Sequence, residues 1–197
     1  MDKAATGFRG MTAKIKKLTH TAVINDTAEE SGSIHVLRPK PRDFRMLVDF
    51  QSPEQRSVAY QGRKLQVYLP KIQTVQEYDL GKQAALLDQF LLLGFGTPGS
   101  DLRRSYRIRY LGEESVGAEK ASKLELTPLS QEALKQVLKI ELWISEAHGQ
   151  PVQQKIYQPS RDYILITYSG QQFDPKLSEA AVKLNLPKGV KKEYPQK

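Results

Sequence analysis

Residue types that could carry metal or thiol chemistry are sparse in this sequence. The chain has three histidines, His20, His35 and His148, and no cysteine. None of the histidines lies at zinc-ligand spacing from another histidine or from a carboxylate cluster, so we expect no metal site. The lack of cysteine excludes a disulfide framework, a thiolate metal ligand and a thiol nucleophile.

Patterns for other kinds of catalysis are weak. The sequence contains no GxSxG nucleophile elbow, and the adjacent Glu113 and Glu114 stand in a turn-like GEES segment that favours solvent exposure over acid–base work. Residues 94–99, GFGTPG, have the letters of the GxGxxG dinucleotide fingerprint. They follow a helix-like apolar run instead of a strand and include a proline, so they predict a loop that ends a helix. We therefore expect no cofactor and no enzymatic activity.

The charge of the chain suits an anionic partner. Lys and Arg number 30 against 22 Asp and Glu, for a formal net charge of +8. Nucleic acid, a membrane surface and an acidic protein patch all fit such a charge. A single-strand nucleic-acid surface would combine the charges with stacking rings, but strand alternation directs Tyr106 and Tyr110 away from Arg107 and Arg109. We do not expect nucleic-acid binding, although a basic module that binds acidic protein or nucleic acid stays open as an alternative.

The elements that position these side chains are mostly strands. Residues 32–80 alternate in short segments that are separated by prolines and by Gly62. Connections this short predict neighbouring antiparallel strands, each with one apolar and one polar face. The predicted meander contains strands at residues 33–37, 43–51, 56–61, 64–69 and 74–80. Further strands are predicted at residues 19–24, 106–111, 123–126, 138–145, 152–157, 163–168 and 182–186.

Helix is scarce in the sequence. Phe8, Met11 and Ile15 are spaced three and four apart, which predicts an amphipathic N-terminal helix over about residues 3–18. The apolar run at residues 86–93 predicts a short helix that must be buried or face an apolar ligand. This run is too short to cross a bilayer, which needs about 20 residues, and no apolar signal segment follows the basic start. We expect a soluble single domain over residues 1–197.

Alternation in the meander leaves one question open. The apolar side chains of residues 43–50, together with the apolar run, fit the core of a closed barrel or sandwich. Periodicity alone favours the core, but it does not separate a core from the wall of a lipid pocket, because Met and Phe are adaptable lining for either role.

The order of segments resembles the periplasmic outer-membrane lipoprotein carriers, the LolA-like family. The resemblance runs through AATGFRGMTAKI, GSIHVLRPKPRDFRM, SPEQRSVAYQGRKLQVYLP, IELWISEAHGQPVQQKIYQ and LNLPKGVK, and so covers nearly the whole chain. It implies an α+β, mostly antiparallel β fold: a strongly curved, unclosed β-barrel, or half barrel, with short helices as a lid over a hydrophobic cavity.

The resemblance also implies a function. Such proteins are soluble periplasmic carriers that bind lipoprotein acyl chains and ferry them from an inner-membrane ABC-type release complex towards an outer-membrane receptor. It implies no covalent chemistry, and we expect a monomer. The sequence departs from the family pattern at Met46, where Trp is frequent, and at Gln61-Gly62, where Asp-Gly is usual. A carrier or sensor of another amphiphile, such as a glycolipid, therefore stays open.

Individual roles follow from the same resemblance. Arg38 matches the arginine before proline that acts as a lid latch, holding the lid backbone and keeping the empty cavity closed. The wall and the lid of the lipid-binding cavity are then formed by Phe44, Met46, Val48, Leu65, Val67, Phe90, Leu91, Leu92 and Leu93.

Overall fold

The structure is a computed structural model and describes residues 2–40, 43–81, 93–174 and 176–195. The described helices are α1 (Asp2–Gly7), α2 (Gly99–Ser105), α3 (Gln131–Leu134) and the 3-10 helices Pro70–Ile72 and Glu179–Val182. The described strands are β1 (Gly10–Thr21), β2 (Asp26–Lys40), β3 (Asp43–Ser52), β4 (Arg56–Gln61), β5 (Lys64–Leu69), β6 (Thr74–Asp79), β7 (Tyr106–Val116), β8 (Glu119–Pro128), β9 (Lys139–Ser145), β10 (Pro151–Tyr157), β11 (Tyr163–Phe173) and β12 (Lys191–Glu193).

These strands hydrogen-bond in the order β12-β6-β5-β4-β3-β2-β1-β11-β10-β9-β8-β7. Successive pairs from β2 to β6 are antiparallel, as are those from β7 to β11. The three-residue β12 instead runs parallel to β6. The order begins with β12 and ends with β7, so the sheet is open. The predicted fold class, α+β with a mostly antiparallel, unclosed sheet and few short helices, is confirmed.

The chain forms two compact units. The first unit contains Met1–Phe8, Lys16–Glu29 and Leu93–Ser169, and the second contains Arg9–Ile15, Glu30–Leu92 and Gly170–Lys197. The core of the first unit is centred on β8 and β9, where the fully buried Leu126 and Ile140 lie opposite each other. Phe95 joins this core and packs edge-on against Tyr168, with ring centroids 5.1 Å apart. Burial raises the pKa of Tyr168, whose hydroxyl accepts a hydrogen bond from the amide of Gln154.

The second unit contains the meander. Strands β4 and β5 have the predicted bounds, and Gly62 makes the turn between them with a φ of 62°. A left-handed φ is readily adopted by glycine, which explains the sharp reversal at this position. The meander prediction for residues 56–69 is therefore confirmed.

The predicted N-terminal helix over residues 3–18 is wrong in its extent. Helix α1 ends at Gly7, and β1 begins at Gly10. Met11, Ala13 and Ile15 are buried, whereas Lys14 and Lys16 between and after them are exposed. Over so few residues, apolar spacings of three and four are compatible with either a helix or an alternating strand. Pairing of β1 within the sheet favours the strand here.

Two other expectations differ from the structure or lie outside it. The strand predicted at residues 182–186 is replaced by the 3-10 helix Glu179–Val182 and the later β12. The helix predicted at residues 86–93 lies outside the described residues except for Leu93, which is in a turn. None of the described helices has the length and apolar character needed to span a membrane.

Candidate functional site

One face of the meander in the second unit carries two rows of apolar side chains. Met46 of β3 lies opposite Tyr60 of β4, which lies opposite Leu65 of β5. Paired residues in an antiparallel sheet share a face, so these three side chains form one row. The pairing of Val36 with Met46 extends this row into β2. The second row, from β2 to β5, consists of Ile34, Val48, Val58 and Val67.

Burial changes along these rows. Val36 is 0% exposed and Tyr60 is 1% exposed, whereas Leu65 and Val67 on β5 are only half-buried. Phe44, at the start of β3, is half-buried as well. The first row is thus packed on β2, β3 and β4, whereas the second row is packed only on β2 and β3, because Val58 on β4 is half-buried too. Leu65 and Val67 thus form a half-buried apolar strip on β5.

Each end of β3 has an aromatic ring under an arginine. The guanidinium carbon of Arg38 lies 5.2 Å from the centroid of the Phe44 ring, and that of Arg56 lies 4.6 Å from the centroid of the Phe50 ring. Both distances are within the range of cation–π contacts. Arg56 also forms an ion pair with Glu30 at 2.6 Å. The two cations therefore flank the apolar rows.

The opposite face of β3 differs from the prediction of a polar, solvated surface. Leu47 points to that face as expected but is buried. The segment around the 3-10 helix Glu179–Val182 lies over it and leaves a pocket of about 280 Å³ that is lined in part by Leu47, Ala181 and Leu184. Arg45 fixes the segment through an ion pair with Glu179 at 2.9 Å. Hydrogen bonds to the Asp43 carboxylate raise the pKa of Arg45.

The predicted site residues fall into three groups. Phe44, Met46, Val48, Leu65 and Val67 share one face, with Arg38 stacked over Phe44. Leu93 is buried in the first unit. Phe90, Leu91 and Leu92 lie outside the described residues, so the lid and the latch role of Arg38 stay predictions.

The contact of Arg56 with Phe50 was not predicted, although it has a sequence signal. These residues are a directly opposed pair on β3 and β4. The short connection between β3 and β4 sets the register of these strands, and this register predicts the pairing.

The glycine-rich segment 94–99 has a structural explanation. A helix follows it, since α2 begins at Gly99. That helix has only seven residues, and the backbone N–H of Gly99 donates to the carboxylate of Asp2. A side chain of the same unit thus occupies the helix start. No group of three metal-ligating side chains occurs within the described part of the chain.

Comparisons with known proteins identify the fold. No family model matches the chain, and no curated protein matches it in sequence. An uncharacterized conserved protein from Thermus thermophilus has 17% identity and a TM-score of 0.59, with 98% of this chain and 93% of that chain covered. MucB has 14% identity and a TM-score of 0.56, and the match covers 93% of this chain and 59% of MucB.

Two further solved structures match the chain at similarly low identity. The Pseudomonas aeruginosa MucA/MucB complex matches with 13% identity and a TM-score of 0.51, covering 93% of this chain and 58% of that one. A LolA superfamily protein from Nitrosomonas europaea matches with 16% identity and a TM-score of 0.39, covering 93% of this chain and 96% of that one. The open, mostly antiparallel sheet with few short helices is the LolA-like fold that the resemblance implied.

Proposed function

We propose that this protein is a non-enzymatic periplasmic carrier that binds the acyl chains of lipoproteins. The half-buried strip of Leu65 and Val67, continuous with two packed apolar rows, is the observation that carries the proposal. An acyl chain on this strip would gain about 0.8 kcal/mol for each buried methylene. Summed over a whole acyl chain, this binding free energy is large enough to hold a lipid. Because each methylene contributes only a small part of it, a receptor can withdraw the chain stepwise.

The proposal includes a lid and partners. The predicted lid at residues 86–93 is part of the proposal, and these residues lie outside the described part of the chain except for Leu93. An inner-membrane ABC-type complex loads the carrier, and an outer-membrane receptor unloads it. The basic charge of the chain supports docking to acidic receptor surfaces, because complementary charge speeds encounter.

Uptake of a fluorescent fatty acid by the purified protein tests the proposal. We expect saturable binding with a blue-shifted probe signal, and native mass spectrometry of protein purified from cells should find acyl-lipid adducts. A protein that takes up no probe and carries no lipid would contradict the proposal. Identification of an extracted glycolipid instead would support the carrier of another amphiphile.

The latch role of Arg38 makes a separate prediction. If Arg38 stabilises the empty closed state, Arg38→Leu lowers the free energy needed to open the cavity. The open fraction of the empty protein then increases, and the apparent affinity for the probe rises by the same factor. We expect an increase of about threefold or more in affinity, with faster association of the probe measured by stopped-flow mixing.

Arg56→Leu is the matched control for this variant. It removes the other arginine over a ring of β3 without touching the proposed latch. Equal association rates in the two variants would count against a special role for Arg38.

A further inference from the structure

One end of the sheet in the first unit brings several turns together. Strands β8 and β10 finish at this end, and β9 and β11 start there, because Tyr157 lies opposite both Lys139 and Tyr163. The turn from β1 to β2 belongs to the same end, since the backbone N–H of Ala22 donates to a carboxylate oxygen of Asp162 at 2.7 Å. We call this region the turn end.

The turn end displays large apolar side chains in solvent. Val23 is 89% exposed and Ile24 is 68% exposed, both within the turn between β1 and β2. Leu129, just after β8, and Leu138, just before β9, are 55% and 46% exposed. Two neighbouring aliphatic residues at the tip of a turn have no packing role in the first unit, and such an exposed group indicates an interaction site.

The turn that carries Val23 and Ile24 has a fixed backbone. Asn25 adopts a φ of 48° and donates its N–H to the carbonyl oxygen of Ala22 at 3.2 Å. The hydrogen bond from Ala22 to Asp162 lowers the pKa of that carboxyl, so the anchor is charged at neutral pH. Because this turn is already ordered, it loses little conformational entropy when its side chains enter an apolar environment.

Aromatic and basic side chains form a band behind the tip. His20 stacks on Tyr163 with ring centroids 4.8 Å apart. The ammonium of Lys155 lies 3.8 Å from the centroid of Tyr163, and that of Lys139 lies 4.8 Å from the centroid of Tyr157. Tyrosine and lysine suit the boundary between lipid and water, because an apolar body and a polar end can occupy both sides of it.

We propose that the turn end docks onto an anionic lipid bilayer, with Val23 and Ile24 inserted among the acyl chains and the aromatic–basic band at headgroup level. The apolar side chains stand on separate turns along one edge, an arrangement that fits a broad surface better than it fits a peptide. Lys155 and the net charge of +8 on the whole chain supply attraction to anionic headgroups, whereas Lys139 is paired with Glu125 and Glu141. The role of this site differs from acyl-chain binding, because the site holds the whole protein at the membrane surface.

Co-sedimentation with vesicles tests the proposal. Wild-type protein is expected to bind vesicles of phosphatidylglycerol and phosphatidylcholine more tightly than vesicles of phosphatidylcholine alone. The double variant Val23→Asp/Ile24→Asp should lose at least about tenfold in partition coefficient, because two inserted aliphatic groups are replaced by charges. Ile72→Asp, at a residue that is 61% exposed in the second unit, is the matched control and should bind like the wild type.

A spectroscopic variant locates the contact. In Ile24→Trp, tryptophan emission should shift to the blue on anionic vesicles and be quenched by brominated lipid. The single native tryptophan, Trp143, is buried and gives a constant background. Wild-type protein that stays in solution at low salt would overturn the proposal, as would a double variant that binds like Ile72→Asp.

These outcomes are independent of the carrier proposal. The vesicle assay contains no acyl probe, and the double variant lies outside the apolar rows of the second unit, so its probe uptake should equal that of the wild type. A protein that binds vesicles and takes up no probe would support the docking surface while contradicting acyl-chain carriage.

Discussion

Replacing Val67 with glutamate is expected to abolish uptake of an acyl probe while leaving the protein folded. Val67 lies in the second apolar row of the meander, directly opposite Val58, and is only half-buried, so a longer polar side chain can reach solvent in the empty protein. When an acyl chain covers this strip, the carboxylate loses its water without gaining a partner, which costs several kcal/mol. Fluorescence titration should find affinity reduced by about a hundredfold or more.

Gln66→Glu is the control for this experiment. Gln66 is the preceding residue on β5, is half-buried like Val67, and points to the other face of the sheet. The substitution introduces the same charge at nearly the same place, so the probe affinity should stay close to that of the wild type. Circular dichroism and melting curves check that both variants fold. Equal losses of probe affinity in the two variants would mean that the probe does not bind on the apolar rows.

Local sequence pattern predicted the meander well. Period-two alternation and short turns specify both the strands and the face that each side chain takes. Phe44, Met46 and Val48 were expected on one face with Leu65 and Val67, and the register of β3, β4 and β5 does bring them together. The pairing of these strands is local in sequence, which is why the shared face could be predicted.

Features that depend on distant segments could not be predicted. Leu47 is buried because a segment more than 130 residues later covers its face, and no local pattern carries that information. β1 looked helical over its first residues because its alternation is short, and its neighbours in the sheet are β2 and the distant β11. Tertiary pairing of this kind overrides local propensity.

The turn end illustrates the same limit in another way. Val23 was predicted to lie in a strand, and its exposure follows from the position of a turn that is fixed by Asp162. The aromatic–basic band joins residues of β1, β9, β10 and β11. Its members become recognisable as a group only when the strand ends are aligned by the sheet.

Gly32 should be the least replaceable glycine of the meander. A Cβ built on it would collide with the carbonyl oxygen of Asp49 and stand 2.9 Å from the Cα of Phe50. Both neighbours are backbone atoms of β3, at a register shift between Ser31 and Gly32, so the strands would have to move apart. For Gly32→Ala we expect a loss of about 3 kcal/mol in the free energy of unfolding, the upper range for overpacking. The melting temperature should fall by about 2–4 °C for each kcal/mol.

Gly7→Ala separates this effect from a general cost of adding a methyl group. A Cβ at Gly7 meets no atom within 4 Å, so that variant should melt within about 1–2 °C of the wild type. The strand movement in Gly32→Ala begins beside Phe50 and would disturb its contact with Arg56, so probe affinity should fall together with stability. Identical melting of the two variants would contradict the close approach of β2 to β3. Without that approach, the apolar rows would lose the alignment that joins Val48 to Ile34.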